Sequence, residues 1–175
     1  MTPLPRLLSV LLFAAIGASF NSALAQKKDE KKASKAMSQE AKRGKYLAQI
    51  AGCNDCHTPG YMESAGKVDE GKWLTGDTLG WRGPWGTTYA PNLRLVAKDM
   101  TAAEFMARAR SELRPPMPWF AVRDMTDADV KAVYAYLRHL GPAGNPAPVY
   151  LPPDKTPSGP FVQFPGPPPG AAKGK

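Results

Sequence analysis

The chain has 175 residues, with 23 Lys and Arg against 15 Asp and Glu, a formal net charge of +8 and two cysteines. That length suits one domain with a modest core. Two cysteines three positions apart exclude a stapling disulfide framework, and the basic balance bears on solubility and choice of partner rather than on fold.

Met1 to Arg6 is a short positive segment, and Leu7 to Ala18 follows without a charge. Ala23-Leu24-Ala25 supplies the small-x-small pattern that signal peptidase reads. Residues 1–25 are therefore expected to be a cleaved signal peptide that directs the chain to a periplasm. The apolar run falls short of the roughly 20 residues a bilayer span wants, so membrane attachment is expected only if this segment stays uncleaved. Residues 26–37 read as a solvated Lys-rich linker, with a polybasic patch for anionic lipid or an acidic partner as the rival reading.

A first helix is predicted from about Ser38 to Ala51, with Ser38 as N-cap and Glu40 in the first turn. Directly after it stands Cys53-Asn54-Asp55-Cys56-His57, a match to C-x-x-C-H, the attachment signature of c-type haem. The spacing has a chemical reason. Thiols three positions apart on one helical turn can add to the two vinyl groups of a porphyrin, and the adjacent imidazole is then held beneath the iron. A zinc site would need four ligands, and the chain has no second cysteine pair and one other histidine. A thioredoxin-like redox pair would want a βαβ context that the surrounding residues lack.

Residues 58–100 keep no sustained period of 3.6 or 2, and Trp73, Trp81, Trp85 and Tyr89 stand among scattered Gly and Pro. A loop this long is expected to be organised by something other than backbone ladders, and a large apolar cofactor would serve. A second helix is predicted to begin at Thr101, where Thr-Ala-Ala-Glu forms a capping box closed by Glu104. A third begins at Thr126, with Asp129 in place of the glutamate. It carries the stripe Val130, Val133, Tyr134, Leu137 and stops at Gly141-Pro142.

An iron held by His57 needs a ligand on its other face. Met100 and Met125 precede the two Thr caps and are expected to staple Phe105 and Val130. Met106 lies inside the second helix, Met37 precedes a Lys-rich helix start, and Met62 is five residues past His57. His139 sits in the last turn of the third helix, where a cation suits the dipole. Met117 remains, in Arg114-Pro115-Pro116-Met117-Pro118-Trp119, where prolines on both sides limit the backbone. It is the expected sixth ligand, against the alternative of a buried loop methionine.

Gly141 to Lys175 carries prolines at 142, 146, 148, 152, 153, 157, 160, 165 and 167–169, which forbid helix and central strand. Val149, Tyr150, Leu151, Phe161, Val162 and Phe164 punctuate it. An extended tail that wraps the domain or docks on a partner is expected, with disorder as the rival.

Over roughly residues 38–141 the chain resembles the class I, mitochondrial-like c-type cytochromes. The resemblance implies an all-α, cytochrome c-like fold of about three to four helices around one covalently bound haem c, with long irregular loops. The domain would occupy residues 38–141, with residues 142–175 as a tail outside the family core. In that family an N-terminal helix with a glycine and an aromatic crosses a C-terminal helix. Gly44 with Tyr46, and Tyr136 with Leu137, match those contacts. The proximal motif matches Cys53, Cys56 and His57, and the distal methionine matches Met117 followed by a Thr-Asp-x-Asp helix start. Residues Gly86-Thr87-Thr88-Tyr89-Ala90-Pro91-Asn92-Leu93 are similar to a segment in cytochrome subunits of periplasmic and membrane-bound dehydrogenases, which implies Tyr89 and Asn92 beside the haem edge or propionates. Those subunits commonly carry several haems; this chain has one motif.

The implied role is single-electron transfer rather than catalysis, with iron and haem c as cofactor. Partners would be redox proteins bearing an acidic docking patch, a dehydrogenase complex among them, and no nucleic acid. Two rivals stand beside it: an electron-accepting subunit bound permanently to a periplasmic dehydrogenase, and a haem-based gas sensor with a displaceable sixth ligand.

Overall fold

The computed structural model describes residues 36–165. The expected signal peptide, most of the expected linker and residues 166–175 of the tail lie outside that range. The unit that begins at Gln39 contains α1 (Gln39–Ile50), α2 (Cys53–His57), a 3-10 turn (Glu70–Lys72), β1 (Gly80–Gly83), β2 (Gly86–Tyr89), α3 (Leu93–Asp99), α4 (Ala102–Ala109), α5 (Trp119–Arg123), α6 (Asp127–Leu140) and β3 (Phe161–Gln163).

The core is the crossing of α1 and α6. Ala41, Gly44, Leu47 and Ala48 of α1 are buried against Val130, Ala132, Val133, Tyr136 and Leu137 of α6. Small residues bring the backbones close. A Cβ placed on Gly44 would stand 1.9 Å from the Ala132 carbonyl oxygen and 2.8 Å from the Tyr136 Cβ. Gly44, Tyr136 and Leu137 thus meet the expectation for the crossing. Tyr46 does not: it is 56% exposed, because two residues after Gly44 the helix has turned that position away from α6. Tyr136 supplies the buried aromatic instead, and its hydroxyl donates to Glu70 Oε1 at 2.9 Å. Burial acts to raise the Glu70 carboxyl, but bonds from Lys45 and Tyr136 hold it below its ordinary range.

The helix ends follow the predicted local chemistry. Thr101 accepts from the Glu104 N–H, and the Glu104 carboxylate accepts from the Thr101 N–H at 2.7 Å, completing the box. Thr126 accepts from the Asp129 N–H at 3.2 Å, while the Asp129 carboxylate pairs with Arg43 of α1 at 2.6 Å. The third predicted cap therefore ties the two crossing helices together. At the other end of α6, Gly141 takes φ 68 and its N–H returns to the Leu137 carbonyl.

Helix α3 shows no period in the sequence. It spans seven residues, and Asn92 begins it by accepting from the N–H groups of Arg94 and Leu95, both at 3.1 Å. Arginines close the far ends of α3 and α6 reciprocally. The Arg94 side chain, 6% exposed, donates to the carbonyls of Leu140, Gly141 and Gly71. Arg138 donates to Ala97 and Lys98 at 3.1 and 3.3 Å. Each guanidinium satisfies last-turn carbonyls that no helical N–H can reach.

The fold is helical, as expected, with one addition: a three-stranded sheet in the order β2-β1-β3. β1 and β2 form an antiparallel hairpin in which Gly83 faces Gly86, and β3 lies parallel to β1 with Trp81 opposite Val162. Prolines keep β3 from any central place, and it occupies an edge. The tail returns to pair with residues some eighty positions earlier in the chain, a pairing no local pattern encodes. Tyr61 and the three tryptophans of residues 58–100 have ring partners within the protein. Trp73 stacks edge-on to Tyr61 with centroids 5.8 Å apart, and Trp81 and Trp85 lie 6.1 and 5.3 Å from the Phe164 ring.

Candidate functional site

Helix α2 is a single turn that carries Cys53, Asn54, Asp55, Cys56 and His57. Gly52 separates it from α1 in the left-handed region at φ 69, where a side chain would be strained and would also meet the Asp55 carboxylate. After the turn, the Thr58 hydroxyl donates to Asn54 Oδ1 at 2.7 Å and accepts from the Leu74 N–H at 2.8 Å. Asn54 is fully buried, and its Nδ2 has no partner among the described residues.

His57 is fixed twice. Its carbonyl accepts from the Gly76 N–H at 2.9 Å, and its Nδ1 lies 2.8 Å from the Pro91 carbonyl oxygen. A carbonyl can only accept, so Nδ1 carries the proton, and Nε2 is the nitrogen with a lone pair to offer. Burial lowers the imidazole pKa, partly opposed by the Pro91 bond, so the ring is neutral and able to ligate. Gly76 has φ +80, and a Cβ there would lie 2.7 Å from the Asn92 nitrogen. Leu74, fully buried at φ 61, passes its carbonyl to the Leu93 N–H at 3.0 Å. The segments around 74–76 and 90–93 thus grip each other around the histidine.

Both thiols are half-buried and unpaired. Burial pushes the Cys53 thiol up to about 11, with the negative charge of Asp55 adding to it. Burial also raises Cys56, helped by Asp55 and Asp77. Raised thiols are poor nucleophiles for disulfide exchange, which weighs against a redox dithiol. Two free thiols on one turn could attach the porphyrin of a haem c, and the neutral imidazole beside them, with Nδ1 engaged, could ligate its iron.

Tyr89 and Asn92 flank Pro91 in sequence. All four hydrogen-bonding positions of the Asn92 amide are taken: Oδ1 by the α3 cap, and Nδ2 by the carbonyls of Ala143 at 2.7 Å and Asn145 at 3.2 Å. The side chain is 3% exposed. Its visible role is to anchor the loop that presents the Pro91 carbonyl. Tyr89 is half-buried at the end of β2 opposite Gly80. Met117 is half-buried in the turn before α5, and its carbonyl accepts from the Trp119 N–H at 2.8 Å. The Thr88 hydroxyl donates to the Pro115 carbonyl at 2.6 Å, so the Met117 loop is tied to β2, the strand that leads to Pro91. His139 is exposed in the last turn of α6, and Met62 is 52% exposed. Pro91, Gly76 and Leu74 escaped sequence reasoning. Two of them act through backbone carbonyls, which leave no side-chain signature.

A family model described as Cytochrome c matches residues 41–141. The chain is 32% identical over 117 residues to a nicotinate dehydrogenase subunit of Pseudomonas putida, covering 61% of this chain and 9% of that protein. It is 31% identical over 118 residues to the fructose dehydrogenase cytochrome subunit of Gluconobacter japonicus, covering 61% of this chain and 22% of that protein. The chain therefore spans less than a quarter of either curated relative. No solved structure gives a match.

Proposed function

This chain belongs to the cytochrome c family, and from that premise we propose that it carries single electrons between redox partners outside the cytoplasm, its iron held by His57 and Met117. Family membership implies covalently bound haem c, and Cys53, Cys56 and His57 fit its attachment motif. The observation that carries the axial reading is the 2.8 Å bond from His57 Nδ1 to the Pro91 carbonyl. It holds the tautomer, leaves the Nε2 lone pair uncommitted and raises the basicity of that nitrogen. When bound, the haem would supply a one-electron couple, and a soft thioether ligand from Met117 would favour the ferrous state. The chain contributes rigidity: Gly76 and Thr58 hold the proximal turn, and the Thr88–Pro115 bond holds the loop of Met117.

Optical spectroscopy of the holoprotein tests the ligand set. The ferric wild type is expected to be low-spin, with a weak near-red band from sulfur-to-iron charge transfer that Met117→Ala abolishes. A high-spin wild-type spectrum would defeat this ligation and favour the gas sensor. Tyr89 beside the haem edge is part of the same proposal. A Tyr89→Phe variant is expected to keep the spectrum and shift the midpoint potential, whereas an unchanged potential removes Tyr89 from the site.

The names of the two relatives support a second reading, a cytochrome subunit that receives electrons from a dehydrogenase. Co-purification of the native protein with a dehydrogenase would favour it over a free carrier. In either case the net positive charge suits an acidic docking patch. Electron transfer with such a partner is expected to slow about tenfold between roughly 10 mM and 200 mM salt, as screening shortens the reach of the field. A rate indifferent to salt would remove the steering. Export through a cleaved signal peptide is proposed from residues 1–25, and mass spectrometry of the mature N-terminus, expected at Gln26, checks it. No helix among the described residues is long and apolar enough to cross a membrane.

A further inference from the structure

The Pro-rich segment after Gly141 touches the Met117 loop as well as the hairpin. Leu151 bridges Thr87 of β2 through two hydrogen bonds of 2.7 and 3.0 Å. The Tyr150 hydroxyl donates to the Trp85 carbonyl at 2.8 Å. Gly86 makes room for both: it takes φ +100, and a Cβ there would stand 2.3 Å from the Leu151 carbonyl oxygen and 2.9 Å from the Tyr150 ring. Beyond them, Arg82 donates to the carbonyls of Pro153 and Lys155, and β3 pairs with β1. Tyr150 is thus fixed at its hydroxyl and by the residues that follow it in the chain.

The exposed face of that fixed ring carries the guanidinium of Arg114, with Cζ 4.3 Å from the centroid. Arg114 is three residues before Met117, and the next residue, Pro115, gives its carbonyl to Thr88. The start of the loop is therefore held at two adjacent points. One hold comes from the tail, and the other from the strand on which the tail is itself anchored.

We propose that Tyr150 is a positioning residue for the sixth ligand: through Arg114 it clamps the 114–117 loop to the hairpin and keeps the Met117 thioether from swinging away. This rests on the reading of Met117 as ligand. A cation over an aromatic face is a directional hold that costs little when formed from a ring already immobilised. Releasing it leaves Thr88 as the remaining tether, so the loop opens more often and an external ligand enters more readily.

The test uses ferric full-length holoprotein and imidazole as the entering ligand, followed by loss of the near-red band. Tyr150→Leu removes ring and hydroxyl, and Arg114→Gln removes the cation. Each is expected to speed displacement about tenfold, and the double variant no further than either alone, because both delete one interaction. Phe164→Leu loosens the tail at Trp81 and Trp85, away from the loop. It is expected to lower the denaturant midpoint yet leave the displacement rate within twofold of wild type. A wild-type band with unchanged rates in Tyr150→Leu and Arg114→Gln overturns the clamp. Equal acceleration in Phe164→Leu also overturns it, as general loosening. A wild type with no near-red band overturns the Met117 premise itself, and the clamp with it.

Discussion

Gly44→Ala is expected to destabilise the holoprotein by about 3 kcal/mol or more, roughly a 10 °C fall in Tm. The cause is steric and has no soft neighbour to absorb it. The added Cβ would lie 1.9 Å from a backbone carbonyl oxygen of α6 and 2.5 Å from its carbon. Neither atom is the end of a flexible chain, so α1 and α6 must separate, and the contacts of Ala41, Ala48, Ala132 and Tyr136 open with them. Alanine has the better helix propensity by about 1 kcal/mol, and the clash must exceed that gain. Gly159→Ala is the control, since a Cβ there meets nothing within 4 Å. Thermal unfolding of the two variants side by side decides the matter; equal midpoints would show that the crossing has slack the distances deny.

Removing both thiols is the other change of large effect, and it is all-or-none. In Cys53→Ala, Cys56→Ala the haem has no covalent bond to the chain, so denaturation should release it completely. Wild type should keep it, with haem stain migrating at the mass of the chain on a denaturing gel. Each single variant should retain one thioether and a lower yield. Haem still attached in the double variant would mean that attachment runs through some other side chain. His57 offers a useful contrast. Replacing it would leave both thioethers and so leave the gel unchanged, while the spectrum loses its proximal ligand. The two readouts separate attachment from ligation.

How much of this molecule can be read from its residues depends on the range of the interactions involved. The attachment turn is legible because its chemistry is local: five consecutive residues hold every atom of the motif. So are the Thr101 and Thr126 caps and the Gly141 stop, each settled within four residues of chain. The helix crossing is legible in part. Gly44, Tyr136 and Leu137 take the expected places, yet Tyr46 next to them faces solvent, because helix phase decides which aromatic is buried. Helix α3 leaves no trace in the pattern, its seven residues being too short to establish a period. Asn92 belongs to a segment expected near the haem. Its amide is engaged by the α3 cap and by Ala143 and Asn145, the latter a pair of partners some fifty residues away.

Sequence by itself determined the cofactor chemistry and the helical frame: Cys53, Cys56 and His57 in one turn, three helices with the Thr101 and Thr126 caps, and a proline-rich tail barred from any central strand. These follow from covalent spacing and from hydrogen bonds between near neighbours. Tertiary structure alone decided what surrounds that turn. It set the Pro91 carbonyl against His57, Gly76 beneath it, the Arg94 and Arg138 guanidiniums at each other's helix ends, and Tyr150 under Arg114. Those contacts join residues far apart in the chain, most of them through backbone carbonyls that every residue possesses. No side-chain pattern can announce them, because what selects one carbonyl over another is the packing of the whole domain.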